Sequence, residues 1–291
     1  MNSAGAATKV SPAPRPILKW AGGKARLLPR ILALLPQEID TYYEPFAGGA
    51  AVFFSLAHGQ RFKRAVLSDR NRDLVDVYRA VKTKVEPLVK LLGTYSHSRD
   101  EYYRIRALDP SQLDLLERAA RVIYLNRTGY NGLYRVNRSG QFNVPFGRYT
   151  DPKFCDPPRL YAASAVLKRV RLEVGDFEQI CTQARTGDAV YFDPPYVPLS
   201  KTSNFAAYHH ERFTEDDQAR LATLFQRLEK NGVCAVLSNS STPVTRALYA
   251  QCTWETVKVT RPINSRASHR GHVSELLVVT RPKRRRGKVA R

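Results

Sequence analysis

Paired cysteines are missing from this chain of 291 residues: Cys155, Cys181, Cys234 and Cys252 lie far apart, with no C-x-x-C spacing. Their scatter argues against a disulfide framework or a zinc ribbon and leaves four reduced, small hydrophobic residues in a reducing compartment. Histidine supplies no better ligand set. His209 and His210 are adjacent, and His269 and His272 are too closely spaced for the usual helical pair, so no metal is expected. Also absent is a run of about 18 apolar residues, the length that crosses a bilayer. The first sixteen residues are rich in Ala, Ser and Pro and lack the apolar segment of a secretory signal. They read as a disordered arm, and the protein as cytoplasmic. Acidic charge is scarce as well. Against 26 Asp and Glu stand 47 Lys and Arg, a net charge of +21. So one-sided a balance points to a polyanion as partner, nucleic acid ahead of membrane.

What is present is organised around Asp193-Pro194-Pro195-Tyr196, which follows the apolar run Ala189-Val190-Tyr191-Phe192. The run reads as a short buried strand, and two prolines stop it because neither donates a ladder hydrogen bond. A carboxylate and a phenol ring are thereby held on stiff backbone at the carboxyl end of a strand, where open α/β sheets bind ligands. An acidic acceptor, rigid carbonyls and a flat ring suit a planar group carrying an NH2. Taken alone, the tetrapeptide is also compatible with a Pro-rich surface turn.

The remaining motifs decide between those readings. Lys19-Trp20-Ala21-Gly22-Gly23-Lys24 precedes a helical stripe of Leu27, Leu28, Ile31, Leu34 and Leu35 that ends at Pro36. It lacks the spacing and the Ser or Thr of a nucleoside-triphosphate loop, but a loop gripping a carboxylate remains open. Next, Tyr42-Tyr43-Glu44-Pro45-Phe46-Ala47-Gly48-Gly49-Ala50 reads as strand and tight glycine turn leading into a helix. About twenty residues on, Val66-Leu67-Ser68-Asp69 is a second strand ending in an acid, the separation that places a carboxylate on ribose hydroxyls. Helices are expected around Leu74 to Lys84 and Leu113 to Leu125. Asn126 to Tyr149 then contains no acid and is rich in Arg, Asn and aromatic residues. Arg138-Ser139-Gly140 within it reads as a hairpin turn, and such a ribbon can read base edges in a groove. Later come strands at Val170–Val174, Val233–Leu237 and Glu275–Val279. Asp176-Phe177 at a strand end could hold an adenine, the acid on its amino group and the ring on its face, and core packing of Phe177 is equally open. Val197 to Arg212 is a polar loop long enough for a lid, and a helix capped by Thr214 carries Leu221, Leu224, Phe225 and Leu228. Seven of the last eleven residues are basic, which makes a polyanion-binding or solubilising tail.

With these motifs in this order, the chain resembles Dam-type DNA adenine-N6 methyltransferases from about Ile17 to Thr280, the region Arg261-Pro262-Ile263-Asn264-Ser265 leading to Glu275-Leu276-Leu277 included. A recognition insert between cofactor loop and catalytic motif is that family's α arrangement. The resemblance implies an α/β fold: a Rossmann-like sheet bearing an inserted, mainly helical recognition domain with a β-hairpin. It divides the chain into the arm 1–16, a catalytic domain of 17–72 and 165–282, a recognition domain of 73–164, and the basic tail 283–291. It implies S-adenosylmethionine as cofactor, held by Trp20, Lys24, Glu44, Pro45, Phe46, Gly48, Asp69, Asp176, Phe177 and Asp193. Catalysis would fall to Asp193, Pro194, Pro195 and Tyr196, acting on an adenine flipped out of duplex DNA. Tyr130, Asn131, Leu133, Arg135, Asn137, Pro145 and Arg148 would contact DNA, with GATC as the expected site and a monomer as the working form. Gly49-Ala50 departs slightly from many relatives, which have Ser-Gly or Gly-Gly. Cytosine-N4 and glutamine methyltransferases share the Pro-Pro-Tyr geometry but usually carry Ser or Asn before it, so Asp193 argues against both. A silent DNA-binding regulator on the same scaffold would have no need of Lys24, Asp69 and Asp193 together.

Overall fold

The computed structural model describes residues 12–20, 22, 24, 26–197, 213–260 and 272–280. Most of the expected arm, the lid loop beyond Val197, Gly23, Arg261–Ser265, the basic tail and His209, His210 and His269 lie outside the described residues. Seven strands form one sheet: β1 (Ile39–Glu44), β2 (Phe62–Asp69), β3 (Val170–Val174), β4 (Ala189–Phe192), β5 (Cys234–Ser240), β6 (Thr253–Thr260) and β7 (His272–Val279). Their order is β3-β2-β1-β4-β5-β7-β6. β7 runs antiparallel to both of its neighbours, and the other pairs are parallel. The fold is therefore the expected α/β, Rossmann-like arrangement. The winding direction switches between β1 and β4, which opens a crevice at the carboxyl ends of those two strands. Glu44, Asp69, Asp193 and Ser240 all sit at strand ends on that edge.

Alternation along each strand builds two cores, one on either face. Tyr42, Leu67, Tyr191, Val236 and Leu277 point into the larger one. Their neighbours Tyr43, Val66, Val190, Phe192, Leu237 and Leu276 point into the smaller one. Helices α1 (Leu28–Leu34) and α2 (Ala51–His58) cover the first face, while α8 (Phe177–Ile180), α9 (Glu215–Lys230) and α10 (Pro243–Leu248) cover the second. α9 begins at the expected Thr214 in a reciprocal capping box with Asp217, and Gly232 follows it with φ +71.

Between β2 and β3 run five helices: α3 (Arg72–Thr83), α4 (Val85–Gly93), α5 (Arg99–Ala107), α6 (Leu115–Thr128) and α7 (Pro157–Leu167). α3 packs against β2 and β3 on one side and against α6 and α7 on the other. Its Leu74, Val77, Tyr78 and Val81 consequently share one core with Tyr42 and Leu67 of the sheet. α6 starts two residues later than its periodicity suggests because Asp114 forms a capping box with Glu117. α4, α5 and α7, like β6 and α10, escaped the sequence reading. Each of these helices is short enough to be marginal in isolation and is secured by the shared core. Among the described residues no helix is long and apolar enough to cross a membrane.

Candidate active site

At the end of β4 the chain turns through Asp193, buried Pro194, exposed Pro195 and Tyr196. Side chains from four other segments brace this corner. Ser238 on β5 donates to Asp193 Oδ1 at 3.1 Å and lies 2.9 Å from the Tyr191 hydroxyl. Lys24 Nζ reaches the same Oδ1 at 2.7 Å and stands 4.6 Å from the centroid of the Tyr196 ring. Gln218 of α9 donates to the Pro195 carbonyl at 3.1 Å, and Asn239 holds Gln218 in turn at 3.2 Å. Asn239 also accepts from Val197 N at 3.1 Å, and the Tyr196 hydroxyl donates to Glu275 Oε2 at 2.8 Å. Burial pushes the Asp193 carboxyl above its ordinary pKa, against the opposing pull of the Lys24 ammonium and the Ser238 hydroxyl. Lys24 thus grips one of the protein's own carboxylates.

The turn after β1 forms the other wall. Glu44 is 2% exposed, and its Oε2 accepts from the Tyr42 hydroxyl at 2.8 Å and from Phe53 N at 3.0 Å. It holds the first turn of α2, whose own N-cap, Ala50, is left-handed and offers no side-chain bond. Burial pushes the Glu44 carboxyl up to about 8. Gly48 has φ +47, and a Cβ there would meet Trp20 Cδ1 at 2.8 Å, so only glycine lets the indole lie on the turn. Gly48 N donates to Asp69 Oδ2 at 3.1 Å, and Asn71 N donates to Oδ1 at 2.9 Å. Asp69 is therefore locked to the glycine turn across the tips of two strands.

Beyond β3, Asp176 caps α8 through Glu178 N at 2.9 Å. Arg70 reaches its Oδ2 at 2.6 Å and Arg220 its Oδ1 at 2.8 Å. Burial alone would raise the Asp176 carboxyl, but the two guanidinium groups and the backbone donor outweigh it and hold the pKa below its ordinary value. Phe177 lies under Phe46 and Phe213, with ring centroids 5.4 and 5.8 Å apart. Trp20, Lys24, Glu44, Phe46, Gly48, Asp69, Asp176, Phe177 and Asp193 thus gather along one edge of the sheet.

The ribbon between α6 and α7 stands apart from that edge. Antiparallel bridges join Val136 to Phe142 and Gly129 to Phe146. The tip turns at Gly140, φ +76, with Asn137 Oδ1 accepting from Ser139 N and Gln141 N at 3.0 and 2.9 Å. The expected hairpin turn is therefore there, although its arms are isolated bridges rather than regular strands. Tyr134, Phe142 and Val144 turn inward, while Tyr130, Asn131, Arg135, Asn137, Pro145 and Arg148 are exposed and Leu133 is half-buried. Arg135 donates to Asn143 Oδ1 at 2.7 Å. The ribbon meets the site through its base. Tyr134 packs on Trp20 at 5.4 Å, and Asn126 clasps Lys19 through N–H and C=O, both at 2.8 Å.

The sequence model of the family described as D12 class N6 adenine-specific DNA methyltransferase matches residues 20–263. The chain belongs to that family. Its relatives include a type II methyltransferase, M1.LlaDCHI, of Lactococcus lactis subsp. cremoris, 42% identical over 91% of this chain and 94% of that one. Type II methyltransferase M.MjaIII of Methanocaldococcus jannaschii is 44% identical over 78% of this chain and 84% of that one. The DNA adenine methylase of Escherichia coli K12 is 38% identical over 92% and 96%. The activity is accordingly DNA adenine methylation, and the substrate is DNA.

Several residues of this methyltransferase's candidate site went unnoticed in its sequence. Ser238-Asn239-Ser240 ends the apolar strand β5 much as Asp193 ends β4, and that polar step after a buried run was a readable signal. Glu275 is a lone acid opening the apolar run Leu276–Val279, equally readable. Gln218, Arg70 and Arg220 carried no such mark, since each is an ordinary polar residue whose importance depends on which element packs beside it.

Proposed function

We propose that this DNA adenine methyltransferase acts on an adenine flipped out of duplex DNA, within GATC, with S-adenosylmethionine as methyl donor. The observation that carries the reading is the Asp193 corner: a half-buried carboxylate, a rigid proline carbonyl and a phenol ring, pre-set at the switch point of the sheet. The residues beside it fit the donor. The turn at Gly48 has no Cβ, Asp69 closes it with a carboxylate, Phe46 offers an aromatic face, and buried Ser68 Oγ and Asn71 Nδ2 lack partners among the described residues. Trp20 and Lys24 would hold its methionine end, Asp69 its ribose, and Phe46, Asp176 and Phe177 its adenine, with Glu44 and Pro45 shaping the turn. When bound, the donor supplies an electrophilic methyl on a sulfonium.

The chain's own work is to position and polarise the amino group. Asp193 accepts one N6 hydrogen. Pro194, whose carbonyl has no described partner while Pro195's is held by Gln218, accepts the other. Both bonds draw the nitrogen toward tetrahedral geometry and aim its lone pair at the methyl, with Tyr196 stacked on the base. On the ribbon, Arg135 would read a guanine through O6 and N7, and Leu133 and Pro145 would meet a thymine methyl. Tyr130, Asn131, Asn137 and Arg148 would complete the contact, and residues 73–164 would serve as the recognition unit. The excess of positive charge supports the phosphate contacts. We place the enzyme in the cytoplasm, working as a monomer.

The test is sequencing that detects N6-methyladenine on plasmid from expressing cells. Methylated adenine confined to GATC is expected. Methylation at other sequences would overturn the site, and unmethylated plasmid would overturn the mechanism.

A further inference from the structure

We propose that Glu275 is a positioning residue for methyl transfer, fixing the Tyr196 ring in the plane on which the target base stacks. The inference rests on the reading that Tyr196 is the stacking platform. Glu275 is 7% exposed and makes no ion pair among the described residues. A carboxylate withdrawn from water without a cation is costly, and it needs a strong donor to be tolerated. That donor is the Tyr196 hydroxyl, at 2.8 Å.

The geometry explains what the bond accomplishes. Glu275 lies in the interior of the sheet, its backbone paired with Ser240 of β5 on one side and Val257 of β6 on the other. Its Cα is therefore among the least movable points near the site. Tyr196 is anchored at the opposite end, where two prolines precede it and where Asn239 and Ser240 hold Val197 by both its N–H and its C=O. A phenol ring gripped at Cα and at its hydroxyl has lost both χ1 and χ2 freedom before any base arrives. Ser238 lies beside the phenol as well, and the same Ser238 orients Asp193 Oδ1. Ring plane and carboxylate are thus set relative to each other by β5 and β7 together. Preorganisation of this kind speeds the chemical step and leaves cofactor affinity alone.

Single-turnover methyl transfer, cofactor affinity and melting temperature of the full-length enzyme test the proposal. Glu275→Ala should slow methyl transfer about tenfold, the worth of a charge-assisted hydrogen bond, with cofactor Kd unchanged. Glu275→Gln, which keeps an acceptor oxygen, should recover most of that loss. In a Tyr196→Phe background, Glu275→Ala should add less than about twofold, because the bond is already gone. Losses that multiply in the double variant, or a Glu275→Ala enzyme at the parent rate, would overturn the proposal. If Glu275→Ala does not fold, Tyr196→Phe at the parent rate overturns it instead. Tyr196→Ala separates this from the underlying reading: a fully active Tyr196→Ala enzyme removes the stacking platform itself. A crippled one beside an unaffected Glu275→Ala removes only the role of Glu275.

Discussion

At the corner after β4, Asp193, Pro195, Tyr196 and Val197 each bond to a side chain from a different part of the chain. On the ribbon, Arg135 and Asn137 bond to residues only a few positions away, Asn143 and Gln141. Both regions are polar and both are proposed to meet the substrate. The corner's polar groups are held by distant elements, whereas the ribbon's exposed Arg135 and Asn137 are held by the ribbon itself, and only its inward side is tied to Asp73, Tyr102 and Arg106. The difference fits the tasks proposed for them. An amino group must be presented to a methyl within a few tenths of an ångström, which favours a scaffold fixed by β5, β7 and α9. A base edge in a groove must be met by a side chain that can adjust, which favours exposure and local hydrogen bonds easily exchanged for those of DNA.

The comparison can be broken most forcefully at its rigid end. Asp193→Ala removes the carboxylate that the whole corner holds, and turnover should fall by about two to three orders of magnitude. Methylation near the parent rate in a labelled-methyl assay would mean that the bracing serves something other than chemistry. At the adaptable end, Arg135→Ala should relax the choice of the guanine beside the target adenine by about ten- to a hundredfold. Cofactor affinity should not change, because Arg135's own side-chain bonds end at Asn143. Competitive methylation of GATC against duplexes altered at that base pair measures it, and unchanged discrimination would take Arg135 out of the reading role.

A smaller effect is expected from charge that belongs to neither region. Deleting Lys283 to Arg291 should weaken binding to all sequences alike, about severalfold, and flatten the salt dependence. A change in which site is methylated would instead make the tail a reader. The smallest effect concerns the turn that supports the corner. Glu44 carries a proton up to about pH 8 in the folded protein, against an ordinary value of 4.5. The native state therefore binds that proton more tightly than the unfolded chain. Its contribution to stability is full at low pH and is lost as pH rises from about 4.5 to about 8. Glu44→Gln keeps an oxygen for Tyr42 and Phe53 without the titration. Its melting temperature should exceed the parent's by several degrees above pH 8, with the gap closing in acid. A constant gap across that range would show that the buried carboxyl ionises normally.

How far the sequence could be read depended on the range of the interaction. Apolar alternation, proline and glycine placement, and caps act within a few residues, so β3 and β4, the glycine turn after β1, the cap of α9 and the hairpin tip were legible before any fold was known. Asp193 and Asp69 were legible for the same reason, as acids that end short apolar runs. Helices α4, α5 and α7 were not, because each is too short for its own periodicity to stand out and the shared core decides them. Nor was the fate of Asp176. Its position at a strand end suggested an acceptor for a ligand, and the two arginines that also hold its oxygens, Arg70 and Arg220, lie 106 and 44 residues away. Sequence alone determined which residues are candidates for the chemistry and which stretches turn, since those follow from side-chain type and local backbone sterics. Only the tertiary structure decided what holds them in place. Ser238, Gln218 and Glu275 reach the corner because β5, α9 and β7 pack beside β4, and sequence spacing cannot encode that proximity.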